Sequence, residues 1–60
     1  MTVDSTRRQQ RIIEIAAQII EGMIASGEIE CTDEAIKAAM PEAVATARAA
    51  YDAALEYVSG

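Results

Sequence analysis

The fold is decided by one apolar stretch, IIEIAAQIIEGMI at residues 12–24. Its apolar residues recur every three or four positions, as on one face of an α-helix, so we predict a helix over about residues 6–25. At about 100° per residue, the apolar side chains cover an arc of roughly 200°, opposite an arc of glutamine, glutamate and arginine. One neighbouring helix covers an arc of only about 100°. The wide arc therefore predicts that this helix contacts two partners.

A chain of 60 residues is short for a protein that folds alone. Such a chain buries only about 60% of the surface exposed by its unfolded form, and small domains gain support from disulfides, metal ions or self-association. Cys31 is the only cysteine and histidine is absent, which excludes an internal disulfide and argues against a structural zinc ion. We therefore predict a homodimer held by the isoleucine-rich face of the first helix. The residues assigned to self-association are Ile12, Ile13, Ile19, Ile20, Met23 and Ile24.

Capping residues predict where the first helix begins and ends. Asp4, Ser5 or Thr6 can accept hydrogen bonds from the free amides of a first turn, which would leave residues 1–5 as a flexible N-terminus. Gly27 can adopt the left-handed conformation that closes a helix.

The second half of the chain predicts two further helices. Thr32 is a favourable N-cap, and the two acidic residues after it would complement the helix dipole, so we expect a short helix at about residues 33–39. Pro41 has no amide hydrogen and crowds the preceding turn. We expect it to end the short helix and to begin another over about residues 41–58.

The last helix carries a narrower apolar stripe of about 100°, wide enough for one partner. The composition is also helical, because alanine is abundant and phenylalanine and tryptophan are absent. We predict an all-α single domain over residues 1–60, a helical hairpin of two long helices joined by a short helix and assembled as a dimeric bundle. The narrower apolar stripe of the last helix consists of Val44, Ala47, Tyr51, Ala54, Leu55 and Val58.

Four acidic residues lie close together between the two long helices. Two of them alternate with Ile29 and Cys31, which predicts a short extended piece with a buried apolar side and a half-buried cysteine. The acids form a rim that a basic protein surface could recognise. The residues assigned to partner binding are Glu28, Glu30, Asp33 and Glu34.

The charge is −5 and unevenly placed. Residues 1–11 carry three arginines against one aspartate, +2, whereas residues 12–60 carry nine acids against Lys37 and Arg48, −7. This excess of acid argues against direct binding of nucleic acid. A helix-turn-helix is also disfavoured, because the would-be recognition helix offers a single arginine among acids and alanines.

These observations favour a small acidic protein–protein interaction module that self-associates. The alternative is an acidic inhibitor or adaptor of the phage or mobile-element type, anti-CRISPR- or anti-restriction-like, which docks on a basic surface of a nucleic-acid-handling protein.

Catalytic and membrane functions are disfavoured by the residue inventory. Without histidine, the Ser/His/Asp and Cys/His arrangements are ruled out, and the neighbouring acids would blunt Cys31 as a nucleophile. The three glycines are too scattered for a phosphate loop. We therefore expect no enzyme activity, no cofactor and no dedicated metal site. No stretch approaches the roughly 20 apolar residues of a membrane span, and the unpaired thiol and absence of a targeting signal predict a cytoplasmic protein.

Overall fold

The computed structural model describes residues 3–59 and has two helices in that range, α1 (Val3–Ala25) and α2 (Asp33–Ser59). The connector between them reverses the chain, and every long-range contact of the described residues joins α1 to α2. The predicted all-helical hairpin is therefore confirmed. None of the described helices is both long and apolar enough to cross a membrane.

Helix α1 begins earlier than predicted. It already includes residues 3–5, which the prediction placed before the helix, and residues 1 and 2 lie outside the described part of the chain. Asp4, Ser5 and Thr6 lie within the first turns rather than at the cap. Aspartate, serine and threonine fit a first turn well, because its amides have no intrahelical acceptor and its dipole favours negative charge.

Helix α1 ends as predicted, at a glycine. Gly27 has a φ of 83°, in the left-handed region. Its amide donates to the carbonyl of Ile24 at 3.1 Å, and the amide of Glu28 donates to the carbonyl of Met23 at 2.9 Å. This pair of hydrogen bonds is the Schellman motif, which satisfies the carbonyls left free at a helix C-terminus.

Helix α2 begins at its predicted cap. The amide of Ala35 donates to Thr32 Oγ1 at 3.2 Å, and the amide of Ile36 donates to the Thr32 carbonyl at 3.0 Å. Lys37 pairs with Asp33 at 3.0 Å one turn earlier. The predicted capping residue is thus confirmed, and a local ion pair accompanies it.

The predicted break at Pro41 is wrong. A single helix of 27 residues runs through the proline, so there is no separate short helix at 33–39 and no new helix at 41. Pro41 cannot donate to the carbonyl of Lys37, which costs one helical hydrogen bond. Apolar residues pack against the core on both sides of the proline and hold the two parts in one helix: Ile36, Ala39, Met40, Ala43 and Val44.

The core between the helices is narrow and rich in alanine. Its buried members are Ile12, Ala16 and Ile20 from α1 and Ala43 and Ala47 from α2. Because alanine has no side chain beyond Cβ, the two backbones can approach closely at this seam. Larger apolar residues flank the seam and are half-buried, among them Ile15, Ile19, Met23 and Tyr51.

Arg8 joins the helices at the open end of the hairpin. Its Nη2 atom donates to both carboxylate oxygens of Asp52, at 3.0 and 3.1 Å, and its guanidinium lies 5.8 Å from the centre of the Tyr51 ring. Both charged side chains remain substantially exposed, so the ion pair contributes only about 0–1 kcal/mol. It lies in the same register as the buried core, with Arg8 opposite Asp52.

Candidate interaction surface

Most of the residues assigned to self-association contact the chain's own second helix. Ile12 and Ile20 are each only 5% exposed. The half-buried members pack against the same core, and they are Ile19, Met23 and Ile24. Ile13 alone of the six faces outward, with 66% of its surface exposed. The isoleucine-rich arc is therefore largely covered within the hairpin.

A larger apolar surface lies at the C-terminal end of α2. Leu55 is 53% exposed, Val58 is 82% exposed and Tyr57 is 89% exposed. The apolar stripe predicted on the last helix includes Leu55 and Val58, and their exposure shows that the hairpin covers this stripe only in part. In the register where Arg8 lies opposite Asp52, the polar stretch at residues 5–11 lies opposite residues 49–55 and offers Leu55 no apolar cover.

Leu55 and Val58 lie on one side of an open groove, which we call the end groove. It encloses about 470 Å³ and combines two residues of α1 with five of α2. Six of its seven lining residues are apolar or aromatic. The groove is therefore shaped for an apolar side-chain surface rather than for a charged ligand. Its lining residues are Arg11, Ile15, Ala50, Tyr51, Ala54, Leu55 and Val58.

The surroundings of Ile13 are different. A shallow depression of about 320 Å³ places Ile13 between Gln10 and Glu14. A neighbouring one of about 260 Å³ is lined by Ile13 with two apolar and three polar residues, which are Ile12, Val44, Arg8, Gln9 and Arg48. The lining around Ile13 is therefore more polar than that of the end groove, in which six of seven residues are apolar or aromatic.

The four acidic residues assigned to partner binding lie at the opposite end of the hairpin. Glu28, Glu30, Asp33 and Glu34 are all exposed, and Asp33 forms the ion pair with Lys37. The connector holds no strand, so the predicted extended piece is not formed. Ile29 is half-buried against the core as expected. Cys31 is exposed, which corrects its expected half-buried position.

The described residues offer no cluster of metal ligands. Across residues 3–59, no group of three or more cysteine, aspartate and glutamate side chains is placed to hold a metal ion. In the same range, no buried side-chain nitrogen or oxygen lacks a hydrogen-bond partner. Two candidate functional surfaces therefore remain. One is the end groove, and the other is the acidic turn, which consists of Glu28, Glu30, Asp33 and Glu34.

Comparisons with known proteins give no match to a family model, to a curated protein or to a solved structure. The functional argument therefore rests on the geometry of the hairpin.

Proposed function

We propose that the chain is a cytoplasmic protein–protein interaction module that acts as a homodimer. The observation that carries this proposal is the amount of exposed surface. The chain exposes 4685 Å², whereas a compact folded monomer of 6.4 kDa exposes about 3,800 Å² by the usual scaling with mass. A hairpin of two helices has an outer side on each helix that no third element covers.

The small core supports the same proposal. Three of its five buried residues are alanine, and alanine contributes little apolar area to a core. A domain of this length rarely gains more than about 3–5 kcal/mol from one core. Association with a second copy would add buried apolar area without a disulfide or a metal ion. We infer that folding and dimer formation are coupled.

In this proposal only the edges of α1 contact the second copy, and not the whole isoleucine arc. Ile12 and Ile20 already fill the core of the hairpin. The apolar surface left for a second copy is at the edges of α1 and along the end of α2. We therefore place the association on the exposed apolar residues rather than on the buried seam.

Self-association predicts a mass and a stability that both depend on concentration. Sedimentation equilibrium over about 5–500 μM, the range of common protein affinities, is expected to show a species of twice the 6.4 kDa chain mass. The thermal midpoint measured by circular dichroism should rise with protein concentration, because dimer formation stabilises the folded state by mass action. A chain that stays at its monomer mass, with a midpoint independent of concentration, would contradict the proposal.

The acidic turn supports a second candidate function, an inhibitor or adaptor that docks on a basic protein surface. All four acids are exposed, none of them is needed for the core, and three have no ion pair with another described residue. Such a charged rim would speed association with a basic nucleic-acid-handling protein and make it sensitive to salt. This function does not require dimer formation.

Charge reversal separates this second function from a general effect of net charge. We expect a variant with lysine at Glu28, Glu30, Asp33 and Glu34 to lose at least about tenfold in affinity for a captured basic partner, since complementary charges are replaced by repelling ones. The matched control reverses four exposed acids elsewhere, which are Glu14, Glu21, Glu42 and Glu56. Affinity would be measured by interferometry at low and moderate salt. Equal losses in the two variants would count against a specific role of the turn.

A further inference from the structure

We propose that the end groove is filled by the same groove of a second copy, around a twofold axis that passes between Ala54 and Leu55. This inference rests on the proposed self-association and says where and how the two copies meet. The C-terminal segments of the two α2 helices would pack antiparallel. Four helices would then surround one apolar seam at the centre of the dimer.

The spacing of the groove residues suits a contact between helices. Tyr51, Ala54, Leu55 and Val58 stand at positions i, i+3, i+4 and i+7 of α2. At 100° per residue, this spacing gives one continuous stripe of the kind found at a seam between two helices. The stripe also extends the one that Ala43 and Ala47 present to α1.

The same segment of α2 carries little charge. Between residues 49 and 59 the chain carries only two charged side chains, those of Asp52 and Glu56. Asp52 is held by Arg8. Glu56 lies two positions after Ala54 and two positions before Val58. Two positions correspond to about 200° around the helix, so Glu56 points away from both residues and lies on the outer side. A contact centred on Ala54 and Leu55 would therefore bring no acidic side chain against its own symmetry mate.

The groove residues of one copy are also complementary in size to the groove residues of the other. An axis between positions 54 and 55 pairs the small Ala54 of one copy with the large Leu55 of the other. The same axis pairs Tyr51 with Val58. A twofold contact must match a surface to itself, and this register does so by alternating a small and a large side chain.

The exposed area agrees with a contact of this kind. The chain exposes roughly 900 Å² more than a compact monomer of its mass. A standard stable interface buries about 800 Å² on each partner. One additional interface per copy would therefore bring the hairpin to the exposure of an ordinary folded protein.

The distribution of charge favours a second copy in this antiparallel orientation. The acidic turn lies at the far end of a molecule whose longest extent is 37 Å. Contact through the end grooves points the two acidic turns in opposite directions. Parallel, side-by-side packing would instead place Glu28, Glu30, Asp33 and Glu34 of both copies next to each other. With a charge of −5 on each copy, the antiparallel arrangement has much the weaker repulsion.

Cysteine cross-linking tests the position of the axis. In a Cys31→Ser background, Ala54→Cys places two thiols beside the proposed axis, whereas Ile13→Cys places them on an exposed surface outside the end groove. Because a disulfide needs Cβ atoms about 3.5–4.5 Å apart, mild oxidation should convert most of the Ala54→Cys protein, and little of the Ile13→Cys protein, to a dimer that reductant releases. If the chain sediments as a dimer but Ala54→Cys does not cross-link, the inference fails and the proposed function stands. If the chain is a monomer, both fail.

A second variant tests the energetics of the same contact. Val58→Glu places two like charges in the seam of the dimer, and we expect the dissociation constant to rise at least about 100-fold. The control is Glu56→Gln, two residues away on the outer side, which should change the constant by less than about threefold. Helicity at high concentration, followed by circular dichroism, checks that both variants still fold. An unchanged dissociation constant for Val58→Glu would overturn the inference.

Discussion

Replacing Pro41 with alanine is expected to raise the free energy of unfolding by about 2 kcal/mol. Proline inside a helix is about 3 kcal/mol less favourable than alanine, and Pro41 lies well within α2. Alanine would supply the missing amide hydrogen to the carbonyl of Lys37. About 0.4–1 kcal/mol of the gain is lost, because proline also restricts the unfolded chain. Urea unfolding followed by circular dichroism at one protein concentration measures the difference.

Glu42→Ala is the matched control for this prediction. It changes the next residue of the same helix, which is also exposed, and should alter the free energy of unfolding by no more than about 0.5 kcal/mol. A loss of stability in Pro41→Ala would contradict the prediction. It would mean that the local geometry imposed by the proline is needed to seat Ile36 and Met40 against α1.

Ile20→Ala is expected to lower the free energy of unfolding by about 2–5 kcal/mol. Ile20 is 5% exposed and belongs to a core of only five buried residues. The total stability of a chain of this length is about 3–9 kcal/mol. The variant should therefore lose most of its helical circular dichroism signal at 37 °C and low concentration. Urea unfolding at higher concentration would give the size of the loss.

Ile13→Ala removes the same atoms seven residues earlier on α1, about 20° away around the helix. Because Ile13 is 66% exposed, its removal leaves no cavity and should cost less than about 1 kcal/mol. The two variants differ only in position, so their comparison isolates burial. Equal losses would contradict the packing of Ile20 in the core of the hairpin.

Local signals in the sequence predicted the turn between the helices well. Gly27 and Thr32 act through their own backbone and side-chain hydrogen bonds, which involve residues three to five positions away. Such contacts are readable from the sequence because they do not depend on distant partners. The break predicted at Pro41 was wrong because the helix at this point does depend on distant partners. Packing against α1 on both sides of the proline outweighs a local preference of about 3 kcal/mol.

The candidate interaction surface could be predicted only in part. Periodicity showed that α1 has more apolar surface than one helix covers, but a continuous arc of about 200° does not say which half faces inward. The end groove depends on the register between the helices. One signal for it was present in the sequence, since the polar residues 5–11 offer no apolar cover to the helix segment opposite them. Combining that polarity with the length of the turn would have identified Leu55 as exposed.

The short connector has a consequence for the order in which the hairpin forms. Closing a small loop has a low entropic cost, so residues near the turn can meet early, while Arg8 and Asp52 are separated by 44 positions. Contacts between the helices should then form in order, from the turn toward the two chain ends. In a single hairpin without its second copy, the end of α2 that carries Leu55 and Val58 is the last part to form and the first to open in thermal fluctuations. At concentrations below the dimer dissociation constant, hydrogen exchange should accordingly be fastest at this end and slowest around Ile20 and Ala43.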